Sequence, residues 1–341
     1  MSRKVAVAGC GWIAPFQLEG WRRIEGVTVA GVCDREPERA RRLAEQYGVP
    51  WAGADAAEML EACLPDIIDV ATTPASHFAI VREAAARGVH ILCQKPTALT
   101  LDEAGAMIDA AERAGVAIYI NEMLRFCPWF RKAREVVAAG RIGRPVYARL
   151  HSRMAGFLEV GPERAVAYGF RSFLRDSGRV LMLEETIHYL DVARFLLGEP
   201  SSLYAAATRA SRLIRGEDIA TLVLRFGDAV VAIDDSWSSH GPARSGLEIE
   251  GEEGALLLTH DKRLELHSGR TGAVEESWDY SQRSWPEWRP LVFEALFRDF
   301  LDAVAARPPS AAQAHDNLRT LRLALAAYES SSQNRVIELA P

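Results

Sequence analysis

Val5-Ala6-Val7-Ala8-Gly9-Cys10-Gly11-Trp12-Ile13-Ala14 stands near the start of the chain. Its first four residues form a continuous apolar run, the texture of a strand covered on both faces. The pattern G-x-G-x-x-A follows at once. Gly9 permits the tight turn, Gly11 lets the backbone approach a pyrophosphate, and Ala14 keeps the next helix close to the sheet. The first amides of that helix, at Trp12 and Ile13, then face a phosphate.

The surrounding sequence supplies the context this motif needs. A second strand, 27–33, ends in Asp34, twenty-five residues after Gly9 and near the spacing at which a carboxylate meets the ribose hydroxyls. The alternative role for Asp34 is capping of the helix that begins near Glu36-Pro37. A carboxylate here repels a 2′-phosphate and favours NAD. Arg35, whose guanidinium can stack on adenine or pair with that phosphate, keeps NADP open. Helices at 38–47, 55–64, 77–87 and 101–114 then alternate with strands at 66–71, 89–93 and 116–121. This βα alternation predicts a doubly wound parallel sheet with right-handed crossovers.

Candidate site residues collect where these strands end. Thr72, Thr73, Pro74 and His77 follow the strand at 66–71 and are candidate cofactor contacts. His77 also reads as a helix-start residue satisfying free amides rather than as a catalyst. Gln94-Lys95-Pro96 follows the apolar run Val89–Cys93 and puts a lysine at the carboxyl edge of the sheet, where open α/β folds bind ligands. Gln94 and Lys95 join the cofactor set. Asn121 and Arg125, after the last strand, are further cofactor candidates, and Glu122 is a substrate candidate. Arg125 could equally tie two domains together.

From Leu124 the texture changes, so residues 1–122 are expected to form the nucleotide-binding domain and 123–341 a second, α+β domain. A helix at 128–139 leads into strands at 145–153, 203–209, 218–226, 229–236, 246–251, 254–258 and 262–267, with hairpin turns at Phe226-Gly227-Asp228 and Glu252-Glu253-Gly254. A large, mostly antiparallel open sheet follows, covered by helices at 183–197 and 290–306, with a last helix at 313–331. In the first of these helices Glu184 and His188 are four residues apart and share a face. A carboxylate one turn from an imidazole can orient it and raise its basicity, as a general base near neutral pH requires. A metal pair is the other chemistry for this spacing, but no third ligand stands at helical spacing. A plain helix salt bridge is the structural alternative. His151 and Arg153 alternate along a strand with Arg149 and meet either sugar hydroxyls or solvent. The stretch 155–179 has the length of an active-site loop, with Tyr168, Arg171 and Arg179 as substrate candidates. Trp237, Trp285 and Trp288 could stack on a sugar, though such residues are more often core.

Composition narrows the function classes. At 49% hydrophobic and 25% charged residues, net charge −6 and pI near 5.8, the chain has the balance of a soluble globular protein. No basic block supports a nucleic-acid partner. No apolar run approaches the roughly 18 residues that span a bilayer. A strand beginning at Val5 leaves no room for a leader's apolar region, and five cysteines without a C-x-x-C pair argue neither disulfides nor a metal site. A cytoplasmic location is the expectation.

The series G-C-G-W-I-A, C-D-R-E-P-E-R-A, A-T-T-P-A-S-H, C-Q-K-P and N-E-M-L-R-F-C-P runs in order through the first half. E-E-T-I-H-Y-L-D and the terminal D-N-L-R-T-L-R-L-A-L-A-A-Y-E-S-S follow it. Together they resemble the glucose-fructose oxidoreductase/inositol dehydrogenase/MocA family. The Gln-Lys-Pro turn and the Glu four before the His are similar to a subgroup that includes D-apiose dehydrogenase-like enzymes. The resemblance implies a Rossmann domain, an E-K-P-type lysine turn whose peptide before proline is often cis, and a D-x-x-x-H helix with the His as acid/base and the acid touching substrate. Here Gln94 and Glu184 depart from that pattern. It further implies NAD-dependent oxidation of a sugar or polyol hydroxyl, with Lys95 on the reacting oxygen and His188 taking the proton, no metal, and a homodimer or homotetramer formed through the outer sheet face. A non-catalytic dinucleotide sensor and a glycoside-processing enzyme that recycles bound NAD are the alternatives.

Overall fold

The computed structural model describes residues 2–158 and 172–339. They fall into two units, Met1–Phe126 with Trp285–Leu321, and Cys127–Ser284 with Arg322–Pro341.

Six parallel strands form the sheet of the first unit: β1 (Arg3–Ala8), β2 (Val27–Cys33), β3 (Ala52–Gly53), β4 (Ile67–Val70), β5 (His90–Gln94) and β6 (Ile118–Asn121). Their order is β3-β2-β1-β4-β5-β6, so direction of travel reverses between β1 and β4 and opens a crevice at their carboxyl ends. The helices between them are α1 (Ala14–Arg22), α2 (Pro37–Tyr47), α3 (Ala56–Cys63), α4 (Pro74–Ala86) and α5 (Leu101–Ala114). Their ends follow local chemistry. Asp55 accepts from the amides of Ala57 and Glu58 to start α3, Thr100 accepts from Glu103 to start α5, and left-handed Gly48 and Gly115 end α2 and α5.

A later helix, α8 in chain order (Trp285–Ala305), returns to this unit. Trp21 of α1 stacks on Phe297 at 3.9 Å between ring centroids. Gly20 makes that approach possible, because a Cβ there would lie 2.8 Å from the Cβ of Phe293. The Tyr119 hydroxyl donates to Asp299 at 2.5 Å. The next helix, α9 (Ala312–Gln333), places Gln313 against the open edge of β6, where its amide accepts from Ile120 N at 2.7 Å and donates to Ile120 O at 3.0 Å. That side chain completes an edge strand that would otherwise be unpaired. The sequence assigned the helix near 290–306 to the antiparallel sheet. It packs instead on α1, and the chain changes units at Phe126–Cys127, Ser284–Trp285 and Leu321–Arg322 rather than once near 122.

The second unit is built on nine strands: β7 (Pro145–Arg153), β8 (Ser202–Thr208), β9 (Ile219–Phe226), β10 (Ala229–Ser236), β11 (Arg244–Gly251), β12 (Gly254–Leu258), β13 (Arg263–Ser268), β14 (Val274–Asp279) and β15 (Ile337–Glu338). Their order is β14-β13-β12-β11-β7-β10-β9-β8-β15, antiparallel throughout except for the β7–β10 pair. Helices α6 (Pro128–Ala138) and α7 (Ile187–Leu197) belong to this unit, α7 packing on β7 and β10. Along β7, Ala148, Leu150 and Ser152 are buried, while Tyr147, Arg149, His151 and Arg153 share the more open face. Strand β14, Val-Glu-Glu-Ser-Trp-Asp, escaped the sequence reading because it has no apolar alternation and is almost entirely exposed. Among the described residues no helix is long and apolar enough to cross a membrane, and all five cysteines are free thiols.

Candidate active site

The glycine turn after β1 is held from two sides. Gly9, at φ +100°, donates its amide to Cys33 O at 2.7 Å, and a Cβ on it would lie 2.6 Å from the carbonyl atoms of Ala71 beyond β4. Only glycine fits there. Gly11 has open space where its Cβ would be, so the backbone face beside it is clear. Asp34 accepts from Cys10 N at 2.8 Å and from Glu36 N at 2.9 Å, tying the turn to the start of α2. Glu36 is itself the N-cap of α2 and no side chain caps that helix, so Asp34 shapes the turn before it and does not cap it, and Arg35 beside it is exposed. Burial, with Asp34 nearby, pushes the Cys10 thiol up to about 12, so that cysteine is not a ready nucleophile. Trp12 and Ile13 lead into α1, and the Arg289 guanidinium lies 4.2 Å from the centroid of the Trp12 ring, 4.9 Å from Phe16 and 5.1 Å from Trp285. Trp285 thus serves an aromatic cluster under Arg289. Trp288 is half-buried nearby in sequence.

After β4, Ser76 donates to Thr72 Oγ1 at 2.8 Å and to Thr73 O at 3.0 Å, shaping the loop before Pro74 opens α4. His77 is fully buried, and its ring nitrogens face two main-chain carbonyls, Nε2 to Thr72 O at 3.1 Å and Nδ1 to Thr97 O at 3.2 Å. It therefore does not satisfy helix-start amides, as its position in the sequence suggested. Beyond β5 the Lys95–Pro96 peptide is cis, and Lys95 is half-buried. Gln94 pairs in register with Asn121 of β6. Asn121 is 1% exposed, and neither atom of its carboxamide has a hydrogen-bond partner among the described residues. Glu122 is equally buried. Arg125 pairs with Asp316 at 2.8 Å inside the first unit. The neighbouring Asn317 accepts the Thr97 hydroxyl at 2.8 Å.

In the second unit Glu184 is 8% exposed and lies in a π-helical turn, Met182–Thr186, that runs directly into α7, whose second residue is His188. Insertions of this kind widen a helix locally and gather at functional positions. Glu217 holds the start of this segment. Its Oε1 accepts from Val180 N at 3.1 Å, Met182 N at 3.0 Å and the Tyr328 hydroxyl at 2.5 Å, and its carbonyl accepts from Leu181 N at 3.3 Å. Thr186 donates to buried Asp235 at 2.8 Å. His151 and Arg153 lie on the face of β7 turned away from these groups. There Arg149 grips Asp234 through Nε at 3.0 Å and Nη2 at 2.8 Å, and burial together with Arg149 lowers the His151 pKa. Arg179 is exposed with its guanidinium 5.2 Å from the Tyr328 ring centroid. Trp237 is core, 1% exposed against Phe157. Tyr168 and Arg171 lie outside the described residues. The structure thus groups the glycine turn, Asp34, the Thr72 loop, Lys95 and Asn121 along one sheet edge, and Glu184 with His188 on one helix, and separates His151 and Arg153 from the latter. Sequence reasoning missed Arg289, Asn317 and Glu217. Only the D-N pair of the terminal motif hinted at any of them.

Residues 3–122 match the oxidoreductase family described as having an NAD-binding Rossmann fold, and residues 130–257 match the GFO/IDH/MocA C-terminal domain. A D-apiose dehydrogenase of Paraburkholderia graminis is 34% identical over 345 residues, covering 98% of this chain and 89% of the relative. The chain belongs to the Gfo/Idh/MocA oxidoreductase family. A second D-apiose dehydrogenase, from Rhizobium rhizogenes, is 31% identical with 98% of this chain and 97% of the relative covered. Among solved structures, the chain is similar to an oxidoreductase from Agrobacterium radiobacter in complex with NAD+, L-tartaric acid and magnesium. It is 29% identical, with a TM-score of 0.86, covering 99% of this chain and 98% of that one.

Proposed function

We propose that this protein is an NAD-dependent dehydrogenase of a small carbohydrate, with D-apiose the first sugar to test. The observation that carries the reading is the sheet edge itself. Lys95 emerges immediately beyond β5, beside a buried Asn121 whose carboxamide meets no protein partner among the described residues. Buried amides are normally satisfied, so this one fits a ligand that both donates and accepts. The residues suit NAD: Gly9 occupies a cradle that any side chain would fill, Gly11 leaves backbone clear, and Asp34 stands at the end of β2. Gly9, Gly11, Trp12 and Ile13 would hold the pyrophosphate, Asp34 the ribose, and Asn121 with the Thr72–Pro74 loop the nicotinamide end. Bound NAD supplies the hydride acceptor, or in its reduced form the donor.

The protein's own residues manage substrate and proton. Lys95 hydrogen-bonds the reacting oxygen and stabilises the alkoxide that develops there. His188 takes the hydroxyl proton, and Glu184, one turn before it and buried, orients the imidazole or touches substrate. Glu122, Tyr168, Arg171 and Arg179 remain candidates for sugar contacts. The relatives named D-apiose dehydrogenase support the substrate class. A homodimer or homotetramer on the outer face of the nine-stranded sheet is part of the same proposal.

The test is NADH formation over a panel of D-apiose, myo-inositol and linear polyols, with NAD and NADP compared. Lys95→Met and His188→Ala should each lower turnover by about 10²–10⁴-fold while NAD still binds. Near-full activity in both variants would overturn the assignment. NAD binding without NADH from any sugar would make the protein a sensor, and sugar release without net NADH a glycoside-processing enzyme.

A further inference from the structure

His77 does something that its place in a helix-start motif does not explain. Its ring is fully buried and spans two loops of the same sheet edge, with Nε2 3.1 Å from Thr72 O and Nδ1 3.2 Å from Thr97 O. Carbonyl oxygens only accept, so a neutral ring donates to one of them, and only the imidazolium, with an N–H on each nitrogen, donates to both. Thr97 is held a second time, since its hydroxyl donates to Asn317 Oδ1 at 2.8 Å, and both residues are 1% exposed. Between the end of β5 at Gln94 and this doubly anchored residue stand only Lys95 and Pro96. Strand pairing fixes one end of that dipeptide, His77 and Asn317 fix the other, and the proline ring restricts its own φ.

We propose that His77, with Asn317, is a positioning residue for Lys95, and that its two ring nitrogens divide the work. Nδ1 sets the lysine turn, while Nε2 sets the Thr72 loop of the cofactor site. This rests on the reading of Lys95 given above. A group placed about 1 Å from its productive position can cost about a hundredfold in rate, so rigid anchoring two residues from the amine has a kinetic consequence.

Two substitutions separate the two nitrogens. Asparagine carries its amide nitrogen near the position of Nδ1 and glutamine near that of Nε2. The full-length variants His77→Asn and His77→Gln are compared for NAD affinity by calorimetry and for kcat on the fastest sugar of the panel. His77→Gln, which loses the Thr97 contact, should lower kcat by about tenfold or more with NAD affinity within about twofold. His77→Asn, which loses the Thr72 contact, should keep more of kcat and weaken NAD by about fivefold, the worth of one hydrogen bond. Thr97→Val should lower kcat like His77→Gln, and Thr97→Ser, which keeps the hydroxyl, should restore it. Thermal melts confirm that each variant is folded, and the threonine pair decides the matter if a histidine variant is not. Parallel loss of both parameters in both histidine variants, or unchanged kcat in His77→Gln and Thr97→Val, would overturn the proposal. Lys95→Met, measured alongside, keeps the two ideas apart. If it retains turnover the reading of Lys95 fails, whereas if it is dead while Thr97→Val is fully active only the positioning role fails.

Discussion

Two buried carboxylates brace the two units, and their donors differ in kind. Asp69 of β4 is fully buried and, among the described residues, accepts from side chains of α1, Gln17 Nε2 at 2.9 Å and Trp21 Nε1 at 2.8 Å. Burial pushes its carboxyl up to about 7, and the two hydrogen bonds pull it back only in part. Glu217 instead gathers main-chain amides at the start of the segment that carries Glu184 and His188. Those amides exist whatever the side chains are and have no helical partner of their own. A carboxylate that meets them is part of the backbone's hydrogen-bond account. One that meets an indole and an amide is a brace that another side chain could replace. The phenol of Tyr328, driven upward by burial and by Glu217, adds a third donor to the first kind.

The difference can be broken at either end. Glu217→Ala should have the largest effect, about 2–4 kcal/mol of stability by urea unfolding, because two buried amides and a phenol lose their acceptor. Turnover should fall with it, since the π-helical turn loses its anchor. A loss no greater than that of an ordinary surface substitution would erase the distinction drawn here.

Asp69→Asn should have an effect that depends on pH. The folded-state value of about 7 lies above the ordinary 3.8, so stability tied to the neutral carboxyl is full below about pH 4 and is lost as pH rises through about 7. Asparagine is neutral throughout, and its amide can donate to Gln17 Oε1, which has no hydrogen-bond partner among the described residues. The variant should therefore gain on the parent protein between pH 4 and 8, by on the order of a few kcal/mol, and the gain should flatten above that range. Melting temperatures taken across this range check it, and a constant difference would show that Asp69 does not titrate there. The smallest effect is expected for His151→Ala. It sits on the face of β7 away from α7, so kcat/KM should change by less than about threefold, as for other substitutions remote from a site. A large loss would restore His151 to the substrate contacts.

Much of the first unit was legible because its signals are local. The apolar run before Gly9 and the Asp at the end of β2 each concern residues within one turn or strand end. The antiparallel sheet was legible where strands alternate, as β7 and β10 do, and invisible at β14, whose residues are nearly all exposed. The side of the molecule on which α8 packs was misread for a different reason. Its apolar face fits any apolar partner, and the choice of α1 depends on the missing side chain of Gly20 and the ring of Trp21. Within the candidate site, Lys95, Asn121, Glu184 and His188 were proposed from motif and position. His77 was found but given the wrong partners, because carbonyls two loops apart leave no trace in spacing.

Sequence alone therefore determined the βα alternation, the glycine turn with its acidic strand end, the lysine at a sheet edge and the Glu-His helix. Each follows from short-range sterics or from the period of apolar residues. Tertiary structure alone decided what holds them: His77 and Asn317 on the Lys95 turn, Glu217 beneath the His188 segment, and Gln313 along the free edge of β6. These are hydrogen bonds between groups as much as 220 residues apart, and the pairing of one buried donor with one acceptor is set by the fold that brings them together.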